Sequence, residues 1–277
     1  MTAAAGGRLL EDRVAVVTGA GRGIGRAIAL LFVEHGARVV VNDVEGPVAE
    51  ETVAASEAQA GNGHAIASIG SVVDPAYAAR LMRQAVDAFG KLDILVNNAG
   101  LTRDAMAHKM SDEEWCAVLD VNLGGTFHCV RAASPYLRDA AKAEIEQRGE
   151  VRYHRKVVNF FSTAAIHGNV GQLNYAAAKM GNVGLTRSLA REWARYRINV
   201  NCVAPGFTDT RLTQPKQDGD GGLGIPRAQR EAFVKQLPFG RPASPLDVAR
   251  VVLFFASPLS DWVTGQELNV SGGHQIP

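Results

Sequence analysis

Seven short runs rich in valine and isoleucine, at residues 14–18, 38–42, 65–69, 94–97, 156–161, 198–204 and 267–270, alternate with longer segments of helical pattern. Within each run the apolar side chains fall on both faces of the pleat, so both faces must be covered. The arrangement that covers both is a parallel sheet with helices packed on either side. The chain is therefore predicted to be α/β and to form one domain over residues 1–277, a size ordinary for such a layered structure. Its 47% hydrophobic content can fill that core, which excludes a disordered chain.

Helix starts are legible from capping chemistry. Asp74 before Pro75 and Ser244 before Pro245 read as N-caps with proline in the first turn, and Ser111 with Glu114 reads as a capping box. Two stretches break the alternation. The charged segment 138–155 is expected to extend a helix into solvent, and the glycine-rich, charged segment 214–226 to form a mobile loop.

The net charge of +1 supplies no field for nucleic acid or an anionic membrane, and no run approaches the roughly 18 apolar residues that cross a bilayer. No secretory leader is apparent at the N-terminus, so a cytoplasmic location is expected. Cys116, Cys129 and Cys202 lack metal-ligand or disulfide spacing and are expected to be core thiols, with no metal site.

After the first run comes Thr18-Gly19-Ala20-Gly21-Arg22-Gly23-Ile24-Gly25, which opens a helical segment. Glycines let the backbone approach a pyrophosphate, and the helix N-terminus offers it free N–H groups. An acidic residue about twenty positions on, here Asp43, completes the dinucleotide pattern. Its carboxylate suits the ribose hydroxyls of NAD and repels the 2′-phosphate of NADP. Arg22, able to pair with that phosphate, keeps NADP as the alternative.

Tyr175 and Lys179, four residues apart in a helical segment, share one helical face. A phenol of ordinary pKa near 10 needs a neighbouring positive charge to work near neutrality, and Lys179 supplies one.

With TGxxxGxG at 18–25, NNAG at 97–100, Asn122, Ser162 thirteen residues before Tyr175, the YxxxK pair itself and Ala204-Pro205-Gly206-Phe207-Thr208, the chain resembles the short-chain dehydrogenase/reductase family over nearly its whole length. The resemblance implies a single-domain Rossmann-type, doubly wound parallel sheet of about seven strands. It implies that Tyr175 is general acid and base, that Ser162 binds the substrate oxygen and that Lys179 lowers the tyrosine pKa and holds the nicotinamide ribose. Asn122 would hold a water linking Lys179 to solvent. Cofactor contacts would come from Gly19, Arg22, Gly23, Ile24, Gly25, Asp43, Ser71, Val72, Asn98, Ala99 and Gly100, and from Pro205, Gly206 and Thr208 at the carboxamide. Asn97 has a structural role at least as readily as a binding one.

Three departures stand out. Ser71 replaces the aspartate many members place beside adenine, Phe161 replaces a second serine, and the 138–155 insertion widens the gap between Asn122 and Ser162. Phe161 is expected to face the core, and His167 to face solvent or structure its loop, with substrate contact as the alternative.

The implied activity is hydride transfer between NAD(H) and a carbonyl or secondary alcohol, in look closest to 3-oxoacyl-thioester reductases and 3-hydroxyacyl dehydrogenases. The segment 207–240 would select the substrate. An NADPH-dependent 3-oxoacyl-acyl-carrier-protein reductase is the alternative, and a non-catalytic dinucleotide sensor the second. An extended-type epimerase fits less well, because its glycine spacing differs. Relatives commonly form homotetramers through the YxxxK helix and its neighbour at 115–138, where Ala176, Ala177, Ala178 and Gly181 would permit close packing between subunits or within one.

Overall fold

The computed structural model describes residues 7–215 and 224–274. Strands β1 (Val14–Val17), β2 (Arg38–Asp43), β3 (Ala65–Ile69), β4 (Ile94–Asn97), β5 (Arg155–Phe160), β6 (Ile198–Pro205) and β7 (Glu267–Val270) form one sheet in the order 3-2-1-4-5-6-7. Every pairing is parallel.

Around the sheet run α1 (Gly23–Glu34), α2 (Gly46–Ala60), α3 (Pro75–Phe89), α4 (Asp112–Leu119), α5 (Gly125–Ser134), α6 (Ala140–Arg148), α7 (Thr163–His167), α8 (Leu173–Trp193), α9 (Arg227–Val234) and α10 (Pro245–Ala256). Alternate strand residues sort into two cores. Ala15, Val17, Val39, Val41, Ile94 and Val96 join Ile28 and Phe32 of α1 and Val248 and Val252 of α10. Val14, Val16, Val40 and Leu95 join Leu81 and Met82 of α3, Cys129 of α5 and Trp193 of α8. The continuous apolar runs thus follow from burial on both faces.

The caps are those the sequence announces. Asp74 accepts from the Ala76 amide at 2.8 Å, and reciprocal capping boxes close at Ser111 with Glu114 and at Ser244 with Asp247. Strand order reverses between β1 and β4, so the loops leaving those two strands diverge and open a crevice at the carboxyl ends.

Some expectations change. Cys116 is exposed, while Cys129 and Cys202 are buried as expected of core thiols. The helix expected over 115–138 carries two π-helical segments, Asp120–Gly124 and Pro135–Asp139, and runs on through α6. The insertion does extend a helix, yet it does not simply leave for solvent. Leu137 and Ala141 are buried, and beyond α6 the chain returns to the amino ends of the strands. There the Tyr153 hydroxyl donates to Asp93, the Arg13 guanidinium lies 3.6 Å from the Tyr153 ring centroid, and Arg155 pairs with Glu144 at 2.6 Å. Of the segment 214–226, residues 216–223 lie outside the described residues; Pro215 and Ile225 on either side of them form an isolated β-bridge.

Candidate active site

The glycine loop is shaped by what touches it. Gly19 and Gly23 adopt φ of +61° and +56°, a region that penalises side chains. A side chain on Gly25 would bring its first carbon 2.2 Å from the Gly19 carbonyl oxygen, and one on Gly21 would come 2.8 Å from Asp43 Oδ2. The motif therefore needs glycine at 25 for packing of helix on loop, and at 21 for approach to the β2 carboxylate. Asp43 accepts from the Gly21 amide at 3.0 Å, so one oxygen fixes the loop at the end of β2. Ile24 is partly buried in the first turn of α1, behind Arg22, whose side chain makes no cap bond there. First-turn amides left without a side-chain cap suit a pyrophosphate.

Arg22 is engaged elsewhere. Its Nη2 lies 2.6 Å from Glu45 Oε2, so a carboxylate of this chain already occupies the guanidinium considered for a 2′-phosphate.

Thr18, not singled out as a site residue from sequence, ties β1 to β4. Its Oγ1 accepts from the Asn98 and Ala99 amides at 3.0 Å each and donates to the Val96 carbonyl. Asn98 Nδ2 returns bonds to the Thr18 and Gly19 carbonyls at 2.9 and 3.0 Å. Asn97 is buried and donates to Asn159 Oδ1 at 2.8 Å, which is the structural role. Ser71 Oγ accepts from the Val73 amide within its own turn, and the Val72 carbonyl contacts His128 Nδ1 at 3.2 Å.

Asn122, Ser162, Tyr175 and Lys179 come from three places: the π-helical segment Asp120–Gly124, the N-cap of α7, and α8. The Ser162 hydroxyl accepts from the Ala164 amide at 3.2 Å and bonds the Tyr175 hydroxyl. Burial raises the Tyr175 pKa above its ordinary value, the Ser162 bond works against that, and the Asp104 charge adds to it. Lys179 Nζ lies 5.6 Å from the Tyr175 ring centroid and 3.5 Å from the Phe160 carbonyl oxygen. Burial pulls its pKa down to about 8, partly offset by the thiol of Cys202.

Asn122 is fully buried, with Nδ2 donating to the carbonyls of Leu101 at 2.8 Å and Val118 at 2.9 Å. A side chain on Gly100 would place its first carbon 2.6 Å from Asn122 Oδ1 and 3.4 Å from Lys179 Nζ, so glycine there leaves open the space both atoms face.

On the far side, the Gly206 amide donates to the Val270 carbonyl at 3.0 Å, and a side chain on Gly206 would meet the Ser271 backbone at 2.7 Å. Thr208 is buried and donates to the Gly206 carbonyl at 3.1 Å, while Pro205 ends β6. Phe161 is buried and His167 exposed, as expected. Gly181 packs inside the subunit, where an added carbon would come 2.8 Å from Leu123 of the π-helical segment, and Ala178 is buried.

Besides Thr18, sequence reasoning missed two residues of the site. Asp104 faces Tyr175 electrostatically and is held by Gln172 Nε2 at 3.0 Å; Asn182, one turn beyond Lys179 on α8, bonds the Asn122 and Phe160 carbonyls. Neither carried a motif, because each acts across loops distant in sequence.

A family model described as enoyl-(acyl carrier protein) reductase matches residues 19–275. The chain is 38% identical over 264 residues to a 3-oxoacyl-[acyl-carrier-protein] reductase of Thermotoga maritima, covering 95% of this chain and 98% of that protein. It is 37% identical over 267 residues to the (2S)-[(R)-hydroxy(phenyl)methyl]succinyl-CoA dehydrogenase subunit BbsD of Thauera aromatica, covering 96% and 98%. A solved structure described as a short-chain alcohol dehydrogenase from Sinorhizobium meliloti superposes with a TM-score of 0.84 at 31% identity, over 96% of this chain and 98% of that one.

Proposed function

We propose, from the premise that this chain belongs to the short-chain dehydrogenase/reductase family of nicotinamide-dependent oxidoreductases, that it interconverts 3-oxoacyl and 3-hydroxyacyl thioesters with NAD(H). The observation that carries the chemistry is the Ser162-bonded Tyr175 hydroxyl with Lys179 one turn below it, at the carboxyl ends of the strands. The substrate class is supported by the names of the relatives, a 3-oxoacyl thioester reductase and a hydroxyacyl-CoA dehydrogenase. Asp43 supports the choice of NAD: its carboxylate is fixed toward the glycine loop, and the nearby Arg22 cation is neutralised by Glu45.

The residues present fit a nicotinamide dinucleotide. The glycine loop would hold the pyrophosphate, Asp43 the adenosine ribose, and Thr208 with Pro205 and Gly206 the carboxamide side. When bound, the nicotinamide supplies or accepts the hydride at the substrate carbon. In reduction Tyr175 gives its proton to the carbonyl oxygen while that carbon gains the hydride, and Ser162 donates a hydrogen bond to the same oxygen. The resulting phenolate is stabilised by the Lys179 ammonium, and Asn122 completes the path by which the proton is replaced. In oxidation the same steps run backwards, with phenolate as base. The raised pKa of Tyr175 keeps it protonated at neutral pH, the form reduction requires.

A panel of 3-oxoacyl and 3-hydroxyacyl thioesters with NAD(H) and NADP(H), followed by nicotinamide absorbance, tests the proposal. Tyr175→Phe is expected to lower kcat by on the order of 10²–10⁴ while leaving dinucleotide affinity within a factor of a few. Near wild-type turnover in that variant would overturn the mechanism; no turnover of any thioester by the wild type would overturn the substrate class. An NADPH-dependent 3-oxoacyl-acyl-carrier-protein reductase is the second reading; the name of the Thermotoga relative supports its substrate, and the same panel separates the two cofactors.

A further inference from the structure

Asn42, one residue before Asp43 in β2, is buried and has no part in the chemistry above. Its backbone carbonyl accepts from the Ala20 amide of the glycine loop at 2.7 Å. Its side-chain Nδ2 reaches the other way, donating to the carbonyls of Ser68 at 3.2 Å and Gly70 at 3.0 Å and to the Tyr77 hydroxyl at 3.0 Å. Two carbonyl acceptors fix the nitrogen as the end that faces β3. The Tyr77 hydroxyl is anchored in turn by Ser68 Oγ at 2.7 Å.

The turn after β3 rests on this group. The Gly70 amide donates to the Asp43 carbonyl at 3.0 Å, and a side chain on Gly70 would bring its first carbon 2.2 Å from Tyr77 Cε2, so the backbone lies directly on the ring. Ser71 and Val72, expected among the cofactor contacts, follow at once. Because Ser71 Oγ is engaged by the Val73 amide within the turn, its place depends on the backbone that carries it. Tyr77 otherwise packs in an apolar core with Val14, Val40, Leu81 and Met82, where a phenylalanine would fill the same space. Its hydroxyl and the Asn42 amide are explained by the bonds they make. We propose that Asn42, buttressed by Tyr77, is a positioning residue for the adenosine end of the dinucleotide. It sets the turn at 70–72 against Asp43 and the glycine loop, so that adenine and its ribose enter a slot already formed. The inference rests on the placement of the adenosine end at Asp43 and Ser71, and it is independent of the substrate and of the direction of hydride transfer.

ADP-ribose carries the adenosine end without the nicotinamide, so its affinity, measured by calorimetry, reads the slot without turnover. Its 2′-phosphate is run beside it, and whichever binds the wild type more tightly is the probe. Asn42→Leu removes the three donated bonds at nearly constant volume and keeps the backbone bond to Ala20; its Kd for the probe is expected to rise about tenfold. Tyr77→Phe keeps the ring beneath Gly70 and is expected to raise the Kd about threefold. The double variant is expected to lose no more than Asn42→Leu by itself, because both act through one group. On any substrate the thioester panel identifies, kcat at saturating dinucleotide is expected to stay within about twofold of wild type while the KM for the dinucleotide rises with the Kd. A lower melting temperature with an unchanged Kd would mean that the group only supports the fold. A kcat that falls as far as the affinity would mean that the damage is not confined to the adenosine end, and either result overturns the proposal. If Asn42→Leu does not fold, Tyr77→Phe is judged by the same criteria, and if the panel yields no substrate, calorimetry alone decides. A wild type that binds neither probe removes the placement of the dinucleotide, and the proposal with it.

Discussion

At the scale of single residues, the proposed chemistry turns on how three influences balance at Tyr175. Burial and the Asp104 charge hold its proton on, and the Ser162 bond eases it off. Asp104→Asn keeps the shape and the contact with Gln172 but removes the negative charge, so the phenolate becomes easier to form. Alcohol oxidation needs that phenolate, and its rate rises with pH as the phenol deprotonates. The rising limb is expected to move to lower pH in Asp104→Asn, with ketone reduction at neutral pH little changed; pH profiles of both directions check this, and a limb that stays in place or moves up contradicts it. Asp43 sets a second expectation. Asp43→Ala frees the ribose end of the site from a carboxylate but also releases the Gly21 amide, so efficiency with both cofactors falls. The ratio of kcat/KM for NADP over NAD is expected to rise about tenfold, equivalent to about 1.4 kcal/mol. A ratio that does not rise removes Asp43 as the discriminator.

Among elements, α9 is the one whose attachment is weakest and most specific. Arg230 reaches Asp209 at 2.8 Å and the Thr213 carbonyl at 3.1 Å, and Phe233 stacks between Phe207 and His274 with centroids 4.6 and 5.0 Å away. No residue of α9 is itself buried. The ion pair is partly exposed, which limits it to about 0.5–1 kcal/mol. Arg230→Gln is accordingly expected to raise the KM for the acyl substrate about two- to fivefold, with the KM for the dinucleotide unchanged, in steady-state kinetics.

The elements also divide by how far the sequence announces them. Strands, the glycine loop and the proline-marked caps are local: each is dictated by residues adjacent in the chain, as Ser244, Pro245 and Asp247 show. The π-helical turn at Asn122 is not. It forms where Gly181 lets α8 approach Leu123 and where Asn182 captures a carbonyl, and both partners lie about sixty residues away. Asp104 is similar, since only the folding back of Gln172 brings it to Tyr175. The site was legible as four motif residues; the groups that tune and hold them were not, because their contacts are tertiary.

For the whole molecule, several large apolar side chains stand exposed among the described residues, and two groups of them bear on assembly. Phe127 on α5 and Met180 on α8 are 48% and 45% exposed, while Trp262 and Leu259, in the segment between α10 and β7, are 92% and 58% exposed. Two separate apolar regions suit an assembly with two kinds of contact, which a tetramer of dihedral symmetry provides. Light scattering is expected to give the mass of a homotetramer, and Phe127→Asp with Met180→Asp to reduce it; a monomer for the wild type contradicts the expectation.

The clamp of Tyr153 on Asp93 and Arg13 sits at the amino ends of the strands, whereas the candidate active site lies at the carboxyl ends. Between α6 and that clamp, Gly149 turns with φ of +80° and no atom within 4 Å of where a side chain would begin. The chain can thus be lengthened at this point without disturbing the opposite end of the sheet, which makes the turn at Gly149 a natural socket for a reporter domain or affinity handle in a working enzyme.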